Sequence, residues 1–329
     1  MIVGALAVVF ALLAGGGAGP GGGAGPGGAG PGGAGPGGAG PGGGDVVVTE
    51  QASRRVVVYD GARRVWGPPA ERWGFSPLGD PRYADLVPER SWVHPDEAKV
   101  RRWRGRTYLL TTASYGFAAV VAYPSGDRYW AAALAPGTLR VNPHSAELLP
   151  DGSVVVAGST GDLVRRYEAP PGRRFADFRL DDAHGVQWDE RLRVLWALGR
   201  DRLVALRPYG SGLRQVDAVP LPSRGGHDLG QVARDPDRLW VTTNTAVYQY
   251  VKSRRAFVRD ARVSRPLVKA VGDDPLTGRV LSTAPEPGLA EPWWTTTVDV
   301  HPSGAHRLPG GGIYKARWWR PLPYPPSPS

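Results

Sequence analysis

Six imidazole or ammonium side chains recur along the chain at nearly constant spacing. Successive members are 45, 40, 43, 42 and 46 residues apart. The six residues are Lys99, His144, His184, His227, Lys269 and Lys315. They include three of the six histidines and three of the four lysines, in a chain that otherwise uses arginine as its cation. Lysine at the same repeat position three times indicates that this position requires a compact positive charge and not the larger guanidinium. We predict that the six residues form one ligand-binding ring.

The two halves of this ring could do different chemistry. Three converging imidazoles, those of His144, His184 and His227, could hold a divalent metal such as Zn²⁺ or Mn²⁺. No two of these histidines are close in sequence, so the metal prediction depends on tertiary geometry alone. The lysine half, with or without a metal, could hold a carboxylate or a phosphate.

The lysines are also candidates for catalysis. Repulsion among clustered ammonium groups lowers their pKa values and makes a neutral lysine available as a base. Lys99, Lys269 and Lys315 are therefore the candidate catalytic residues. A metal beside such a base suits proton removal next to a carboxylate, as in a uronate lyase. The alternative is that all six residues only solvate a water-filled channel.

The elements that position these residues are six predicted strand pairs. Each pair is an apolar run, a small polar turn and a second alternating run, which is typical of an all-β protein. The pairs span residues 45–60, 107–123, 153–168, 193–209, 238–251 and 279–300.

The order of the repeats predicts a closed circle. Five of the key residues precede the apolar run of a strand pair by 9 to 12 positions, whereas Lys315 has no pair after it and the pair at 45–60 has no key residue before it. We therefore predict a six-bladed β-propeller, closed by a C-terminal innermost strand that joins the N-terminal strands. Innermost strands line the channel, which would bring the six residues together. A β-sandwich with accidental spacing is the alternative.

Other residues near the ring have two interpretations. Four carboxylates could orient the imidazoles or could be turn and strand-end residues; these are Glu97, Glu147, Asp182 and Asp228. Five tryptophans are expected on strands, packing between blades, with a sugar platform as the alternative; these are Trp188, Trp196, Trp240, Trp293 and Trp294. His94, His301 and His306 are expected at the surface, and one of Trp318 and Trp319 is expected to be buried.

The ends of the chain differ from its middle. Residues 1–20 contain an apolar run of signal-peptide length, residues 21–44 form a Gly/Ala/Pro-rich flexible linker, 45–319 the propeller, and 320–329 a Pro-rich tail. A mis-assigned start codon ahead of a low-complexity leader is the alternative for the first segment. The absence of cysteine from the sequence excludes a lipid-anchored lipoprotein.

Composition and charge limit the partners. The net charge is +10, but the arginines are scattered and no nucleic-acid-binding motif occurs. We expect a secreted or cell-wall-associated monomer with no nucleic-acid partner and no stable membrane insertion. Its expected partner is an anionic small molecule or glycan.

Several of these segments resemble a known family. The segments are VVVTEQASRRVVVYD, LLTTAS, NPHSAELLPDG, AHGVQWD, GGHDL, DRLWVTT and IYKARWW. They resemble an uncharacterised family of secreted actinobacterial proteins, which implies a propeller fold and export but no activity. The histidine cluster is more loosely similar in arrangement to metal-binding propeller lyases such as oligogalacturonate lyases.

Three functions remain open from the sequence. The leading one is an exported propeller that binds an anionic small molecule or glycan at a His/Lys-lined axial pocket. The second is a metal-dependent lyase or hydrolase acting on an anionic saccharide at the same pocket. The third is a non-catalytic protein-interaction scaffold, for which the channel would be irrelevant.

Overall fold

The computed structural model describes residues 44–172, 174–302 and 304–320, and the backbone of a short strand at 322–323. The predicted signal peptide (1–20) and the linker (21–44, apart from its last residue) lie outside these described residues. Most of the predicted tail lies outside them as well. None of the helical segments in the described ranges has the length and hydropathy of a membrane span.

Strands make up most of the described structure. The first eleven are β1 (Val46–Glu50), β2 (Arg55–Tyr59), β3 (Glu71–Phe75), β4 (Pro95–Trp103), β5 (Arg106–Ala113), β6 (Phe117–Tyr123), β7 (Arg128–Ala133), β8 (Pro143–Leu148), β9 (Val154–Gly158), β10 (Leu163–Tyr167) and β11 (Phe175–Arg179). The next eight are β12 (Gly185–Asp189), β13 (Val194–Leu198), β14 (Arg202–Tyr209), β15 (Gly212–Pro220), β16 (Leu229–Gln231), β17 (Arg238–Thr242), β18 (Val247–Val251) and β19 (Ala256–Arg259). The last six are β20 (Ala270–Asp273), β21 (Val280–Thr283), β22 (Thr297–His301), β23 (Ala305–Arg307), β24 (Ile313–Trp318) and β25 (Leu322–Pro323).

Helical structure is limited to short connecting segments. They are the α-helix α1 (Pro88–Ser91) and 3₁₀ turns at Pro68–Ala70, Pro81–Leu86 and Lys252–Arg254.

The strands form six sheets, which are the blades of a β-propeller; their pairings are antiparallel except for the parallel pairing of β25 with β4. Blade 1 has the order β24-β1-β2-β3, and blade 2 has β4 to β7 with β25 added beside β4. Blades 3 to 6 contain β8–β11, β12–β15, β16–β19 and β20–β23. Each predicted strand pair is the second and third strand of a blade. The predicted six-bladed architecture is confirmed.

The ring is closed by strands from the two ends of the propeller. β24 pairs antiparallel with β1, with Val46 opposite Trp318 and Val48 opposite Ala316. The C-terminal segment thus supplies the innermost strand of blade 1, as the sequence predicted. The pairing covers the edge of β1 that would otherwise be open to another strand.

The hydrophobic core lies between successive blades. The second strands of blades 3 and 4 are wholly apolar, and all five residues of both β9 and β13 are buried. Trp188 packs with Val155 of the preceding blade, and Trp196 packs with Tyr250 of the following blade. Trp240 belongs to the next cluster, so the predicted inter-blade position of these three tryptophans is confirmed.

Two other predictions about aromatic residues are wrong. Trp293 and Trp294 lie in the long connection between β21 and β22, not on a strand. His306 is buried rather than at the surface, because its ring stacks on Trp66 at a centroid distance of 4.7 Å. Of the last two tryptophans, Trp318 is buried and Trp319 is half-buried, as predicted.

Candidate functional site at the channel mouth

One residue at the start of each innermost strand faces its counterparts around the channel mouth. In three blades the backbone N–H of this residue donates to the second strand, over 2.9 Å for His184, 2.9 Å for His227 and 2.8 Å for Lys269. These hydrogen bonds place the two histidines and the lysine at equivalent points of blades 4, 5 and 6.

In the other three blades a β-bulge creates the same position. The pairing of β4 with β5 shifts between Pro95 and Glu97, and that of β8 with β9 shifts between Pro143 and Ser145. A bulge adds one residue opposite a single partner and re-aims its side chain. The pairing of β1 with β24 shifts in the same way. The complete mouth layer is Asp96, His144, His184, His227, Lys269 and Tyr314.

The predicted equivalence of all six ring residues is therefore wrong for two lysines. Lys315 follows the mouth residue of blade 1 by one position, and Lys99 follows Asp96 by three. Both side chains lie below the mouth and are almost fully buried, with exposures of 1% for Lys315 and 3% for Lys99. Nothing in the sequence marks a bulge. In addition, β4 has nine residues where β8 has six. A count back from the apolar run of β5 by the usual spacing therefore reaches Lys99 and not Asp96.

The three imidazoles lie together, as predicted. The ring centroids of His144 and His184 are 4.5 Å apart, those of His184 and His227 are 4.7 Å apart, and those of His144 and His227 are 6.1 Å apart. Burial lowers the pKa of His144 to about 3 and that of His184 to about 3, and it lowers the pKa of His227 as well. All three rings are consequently uncharged at neutral pH.

The three imidazoles differ in their polar surroundings. Nδ1 of His184 donates to the backbone carbonyl of Asp182 over 3.0 Å, which leaves Nε2 of this neutral ring as an acceptor. Nε2 of His227 lies 2.8 Å from the Tyr314 hydroxyl. Nδ1 of His144 is buried without a hydrogen-bond partner, 3.4 Å from the Asp96 carboxyl. Burial raises the pKa of Asp96 well above its usual range.

This arrangement does not fit the predicted metal centre. The planes of His144 and His184 are inclined by only 24°, so these rings stack instead of directing nitrogens at one point. Within the described ranges, no group of three or more histidine, aspartate or glutamate side chains is placed to hold a metal ion. We therefore assign no chemical step to a metal.

Lys269 is the cation of the mouth. Its side chain is half-buried, and among the described residues it has neither a hydrogen bond nor an ion pair. Burial lowers the pKa of its ammonium to about 8, with a smaller contribution from the charge on Lys315. The mouth therefore presents one incompletely solvated positive charge beside three neutral imidazoles.

A layer of paired charges lies directly below the mouth. Arg317 donates to both oxygens of Asp228, over 2.8 and 2.6 Å, and to Glu97 over 3.1 Å. The ammonium of Lys315 is 3.4 Å from Asp228 and 3.8 Å from Glu97. Burial alone would raise the pKa of Glu97, but the charges of Arg317 and the lysines outweigh it and hold that pKa far below its usual range.

Further along the channel, Lys99 and Arg101 continue this network. Lys99 donates to the hydroxyl of Ser145 over 2.8 Å and to the carbonyl of Val186. Arg101 forms two hydrogen bonds with Glu147, of 2.9 and 2.7 Å. Glu97, Glu147 and Asp228 thus form ion pairs with arginines, whereas the carboxylate of Asp182 lies 3.3 Å from Nδ1 of His184.

An aromatic rim stands beside the mouth. The connection between β21 and β22 begins and ends on the mouth side, where it meets the turn after β1. There Oε1 of Gln51 accepts hydrogen bonds from the indoles of Trp293 (2.9 Å) and Trp294 (2.6 Å). The amide of Gln51 also donates to the Asp96 carboxyl over 3.4 Å. The ring of His94 lies edge-on to Trp293, at a centroid distance of 5.7 Å. Sequence analysis missed Gln51, Asp96 and Tyr314, because none of them repeats between blades.

Comparison with known sequences places the chain in a family. A model described as "Family of unknown function (DUF6528)" matches residues 44–203 and 219–325. The chain therefore belongs to this family. No curated protein matches the chain in sequence.

Solved structures are similar to the chain in fold. A protein of unknown function from Bacteroides caccae aligns with a TM-score of 0.56 at 13% identity, over 84% of this chain and 98% of that one. Hydrazine synthase of Kuenenia stuttgartiensis aligns with a TM-score of 0.48 at 13% identity, over 67% of this chain. The alignment covers 64% of the hydrazine synthase chain, slightly less than two thirds of that chain's length. Virginiamycin B lyase from Staphylococcus aureus aligns with a TM-score of 0.45 at 12% identity, over 65% of this chain and 84% of that one. At such identities the likeness concerns the fold alone.

Proposed function

We propose that this member of the family of unknown function binds a carboxylate-bearing saccharide at the channel mouth. The observation that supports this most directly is the state of Lys269. The other channel cations have carboxylate or carbonyl partners, whereas Lys269 has none among the described residues. A half-buried ammonium without a counter-ion attracts an anion, and a carboxylate would supply charge-assisted hydrogen bonds.

The three imidazoles suit the hydroxyl groups of a sugar. Being neutral, each ring has one donor nitrogen and one acceptor nitrogen. Nε2 of His184 is an acceptor, because Nδ1 of the same ring donates to the Asp182 carbonyl. Sugar hydroxyls both donate and accept, so they can satisfy either requirement. Charged imidazoles would have offered only donors.

The aromatic rim supports a saccharide over an inorganic anion. Trp293 and Trp294 are fixed by Gln51, and the ring of Trp294 covers Gly312 so closely that an added Cβ there would lie 2.5 Å from it. A fixed indole beside a polar pocket offers an apolar surface for the carbon face of a sugar ring.

The same geometry supports proton abstraction by Lys269 as a second candidate function. With a pKa of about 8, part of this lysine is neutral near pH 8 and could accept a proton adjacent to the bound carboxylate. Lys99 and Lys315 are less suitable as bases because both are buried and engaged in the layer below the mouth. We place the binding outside the cytoplasm, on the basis of the predicted leader at residues 1–20, and we propose that the protein acts as a monomer.

The proposed function can be tested with two matched sugars. D-Glucuronate and D-glucose differ at one carbon, which carries a carboxylate in the former. Calorimetric titration of the full chain should show tighter binding of glucuronate by about tenfold or more, since one charge-assisted hydrogen bond has roughly that value. In Lys269→Met this preference should disappear, whereas Lys269→Arg should keep most of it.

The pH dependence separates Lys269 from the histidines. Glucuronate binding should weaken as the pH rises through about 8, where Lys269 loses its proton. It should not change between pH 6 and pH 7, because the imidazoles are already neutral there. Equal affinity for glucose and glucuronate in the unaltered protein would refute the proposal. Turnover of a glucuronate-containing oligosaccharide, lost in Lys269→Met, would favour the catalytic candidate.

A further inference from the structure

Asp96 is the carboxyl group of the mouth layer, and its surroundings differ from those of the acids beneath it. It is 1% exposed, and no arginine or lysine among the described residues forms an ion pair with it. Glu97 and Asp228, by contrast, both form ion pairs with Arg317. A buried carboxylate without a cation is costly, and such a group takes up a proton instead. The contacts of Asp96 therefore favour the neutral acid.

The hydrogen bonds that Asp96 accepts come from neutral groups. Oγ of Ser114 donates to Oδ2 over 2.8 Å, and the amide of Gln51 donates to Oδ1 over 3.4 Å. Burial raises the pKa of Asp96 well above its usual range, and the hydrogen bond from Ser114 and the charge of Lys315 offset only part of this rise. Both hydrogen bonds are compatible with a protonated carboxyl.

A proton on Asp96 gives His144 the partner that it lacks. Nδ1 of His144 is buried without a hydrogen bond, and Oδ2 of Asp96 lies 3.4 Å from it. Buried nitrogens almost always have a partner. An acid O–H can turn about its C–O bond toward Nδ1, whereas an N–H on the imidazole is fixed in the ring plane. A donor on Asp96 makes Nδ1 the acceptor and places the single proton of the neutral ring on Nε2.

His184, whose ring stacks on that of His144, has the opposite tautomer. Its Nδ1 donates to the carbonyl of Asp182 over 3.0 Å, so its Nε2 is the acceptor. Neither Nε2 has a partner among the described residues, and neither is one of their buried unpaired atoms, so both have accessible surface. The stacked pair thus presents a donor and an acceptor on rings whose centroids are 4.5 Å apart.

We infer that Asp96 is a neutral acid whose O–H donates to Nδ1 of His144 and thereby fixes Nε2 of that ring as a donor toward the ligand. Asp96 is a positioning residue that acts through His144. The consequence for the ligand, which rests on the binding function proposed above, is a uronate with a free hydroxyl group. That hydroxyl accepts from Nε2 of His144 and donates to Nε2 of His184, whereas an ether oxygen could only accept.

The ring protons can be located directly in the protein without ligand. Long-range proton–nitrogen NMR spectra of the isotopically labelled full chain at pH 7 distinguish the two tautomers of a neutral imidazole. The variants His144→Gln and His184→Gln assign the signals. We expect the proton on Nε2 for His144 and on Nδ1 for His184. A proton on Nδ1 of His144 would overturn the inference, because Asp96 would then be the acceptor.

Infrared spectroscopy tests the protonation of Asp96 itself. A carboxylic acid has a carbonyl stretching band that a carboxylate lacks, and this band should be present at pH 7 and lost in Asp96→Asn. Asp80→Asn is the matched control, because the hydrogen bond from Arg82 holds the pKa of Asp80 below its usual value; it should leave the band unchanged. A difference spectrum between the unaltered protein and Asp96→Asn that lacks the acid band would overturn the inference.

Two substitutions of Asp96 isolate the donor. Asparagine supplies an N–H in place of the acid O–H, so Asp96→Asn should keep the proton of His144 on Nε2, whereas Asp96→Leu should give a mixture of both tautomers. Titration with D-glucuronate should show an affinity about fivefold higher for Asp96→Asn than for Asp96→Leu. Equal affinities would overturn the role of the donor.

The requirement for a free hydroxyl has its own probe. Fully O-methylated glucuronate keeps the carboxylate but has no hydroxyl donor, so it should bind the unaltered protein about tenfold more weakly than glucuronate. The difference should shrink in His184→Phe, which keeps an aromatic ring and removes the acceptor. Equal binding of the two probes to the unaltered protein would overturn the assignment. A failure of glucuronate to bind at all would refute the proposed function alone, since the NMR and infrared measurements need no ligand.

Discussion

The mouth of the channel and the layer directly beneath it both contain titratable side chains, but those beneath the mouth are charged and paired, whereas those at the mouth are uncharged or unpaired. Beneath the mouth, Glu97, Asp228, Lys315 and Arg317 are buried and in mutual contact. At the mouth, three imidazoles are uncharged, and Lys269 has no partner among the described residues. Paired buried charges fix the geometry of the blades around the channel. Unpaired polar groups on top of that support are available to a ligand.

The largest effect should come from breaking the lower layer. Arg317→Met leaves Glu97 and Asp228 buried with less compensation, so the free energy of unfolding should fall by about 3–5 kcal/mol, as measured by urea denaturation. Arg72→Met is the control, because Arg72 pairs with Asp60 at the exposed surface and its loss should cost less than about 1 kcal/mol. Similar losses for the two variants would contradict the structural role of the lower layer.

An intermediate effect should come from acid titration of the mouth. The pKa of His184 is about 3 in the folded protein, against roughly 6.5 in the unfolded chain. Between these values the unfolded state binds the additional proton, so stability is lost as the pH falls through this window. For one such histidine the loss between pH 7 and pH 5 is about 2 kcal/mol.

The variant His184→Gln should remove that share of the loss. The groups that face His184 are His144, His227, Asp182 and Lys315. The first has a lowered pKa of its own and continues to contribute in the variant. Urea denaturation at pH 5 and pH 7 should therefore show a smaller pH dependence for His184→Gln than for the unaltered protein. An unchanged difference between the two pH values would mean that His184 is not held neutral.

The smallest effect, and one of opposite sign, should come from Lys269. Because the folded protein lowers the pKa of this lysine from 10.5 to about 8, its charge opposes folding at neutral pH. Lys269→Met should raise the free energy of unfolding at pH 7 by about 1 kcal/mol after allowance for solvent screening. A loss of stability comparable to that of Arg317→Met would place Lys269 in the structural layer.

Sequence periodicity predicted the architecture because each blade needs apolar residues on its buried strands, and these residues recur along the sequence. Runs such as VVVAG at β9 and VLWAL at β13 must be buried on both faces, and their spacing counts the blades. The C-terminal segment around Lys315 had no strand pair after it, which predicted the closure seen in the pairing of β24 with β1. The number of blades and the closure depend only on the order and spacing of apolar runs, which can be read from the sequence without knowing the exact strand register.

Register is what the sequence did not provide for the site. His144, His184, His227 and Lys269 were assigned correctly to the mouth, whereas Lys99 and Lys315 were assigned by residue type and lie below it. The bulge accounts for Lys315, since one extra residue re-aims the side chains after it, and for Lys99 the length of β4, nine residues against six in β8, adds to the bulge. A bulge has no signature in a run such as HPDEAKV, so Asp96 could not be distinguished from its neighbours.

The sequence by itself determined the six blades, their closure and the recurrence of imidazole and ammonium groups along the innermost strands. Tertiary structure alone decided which of these groups are paired with carboxylates and which face the mouth. It also decided that the rings of His144 and His184 stack, and that Asp96 lies beside His144. The reason is that blade formation follows from local periodicity, whereas protonation and pairing depend on contacts between residues that are 40 or more positions apart in the chain.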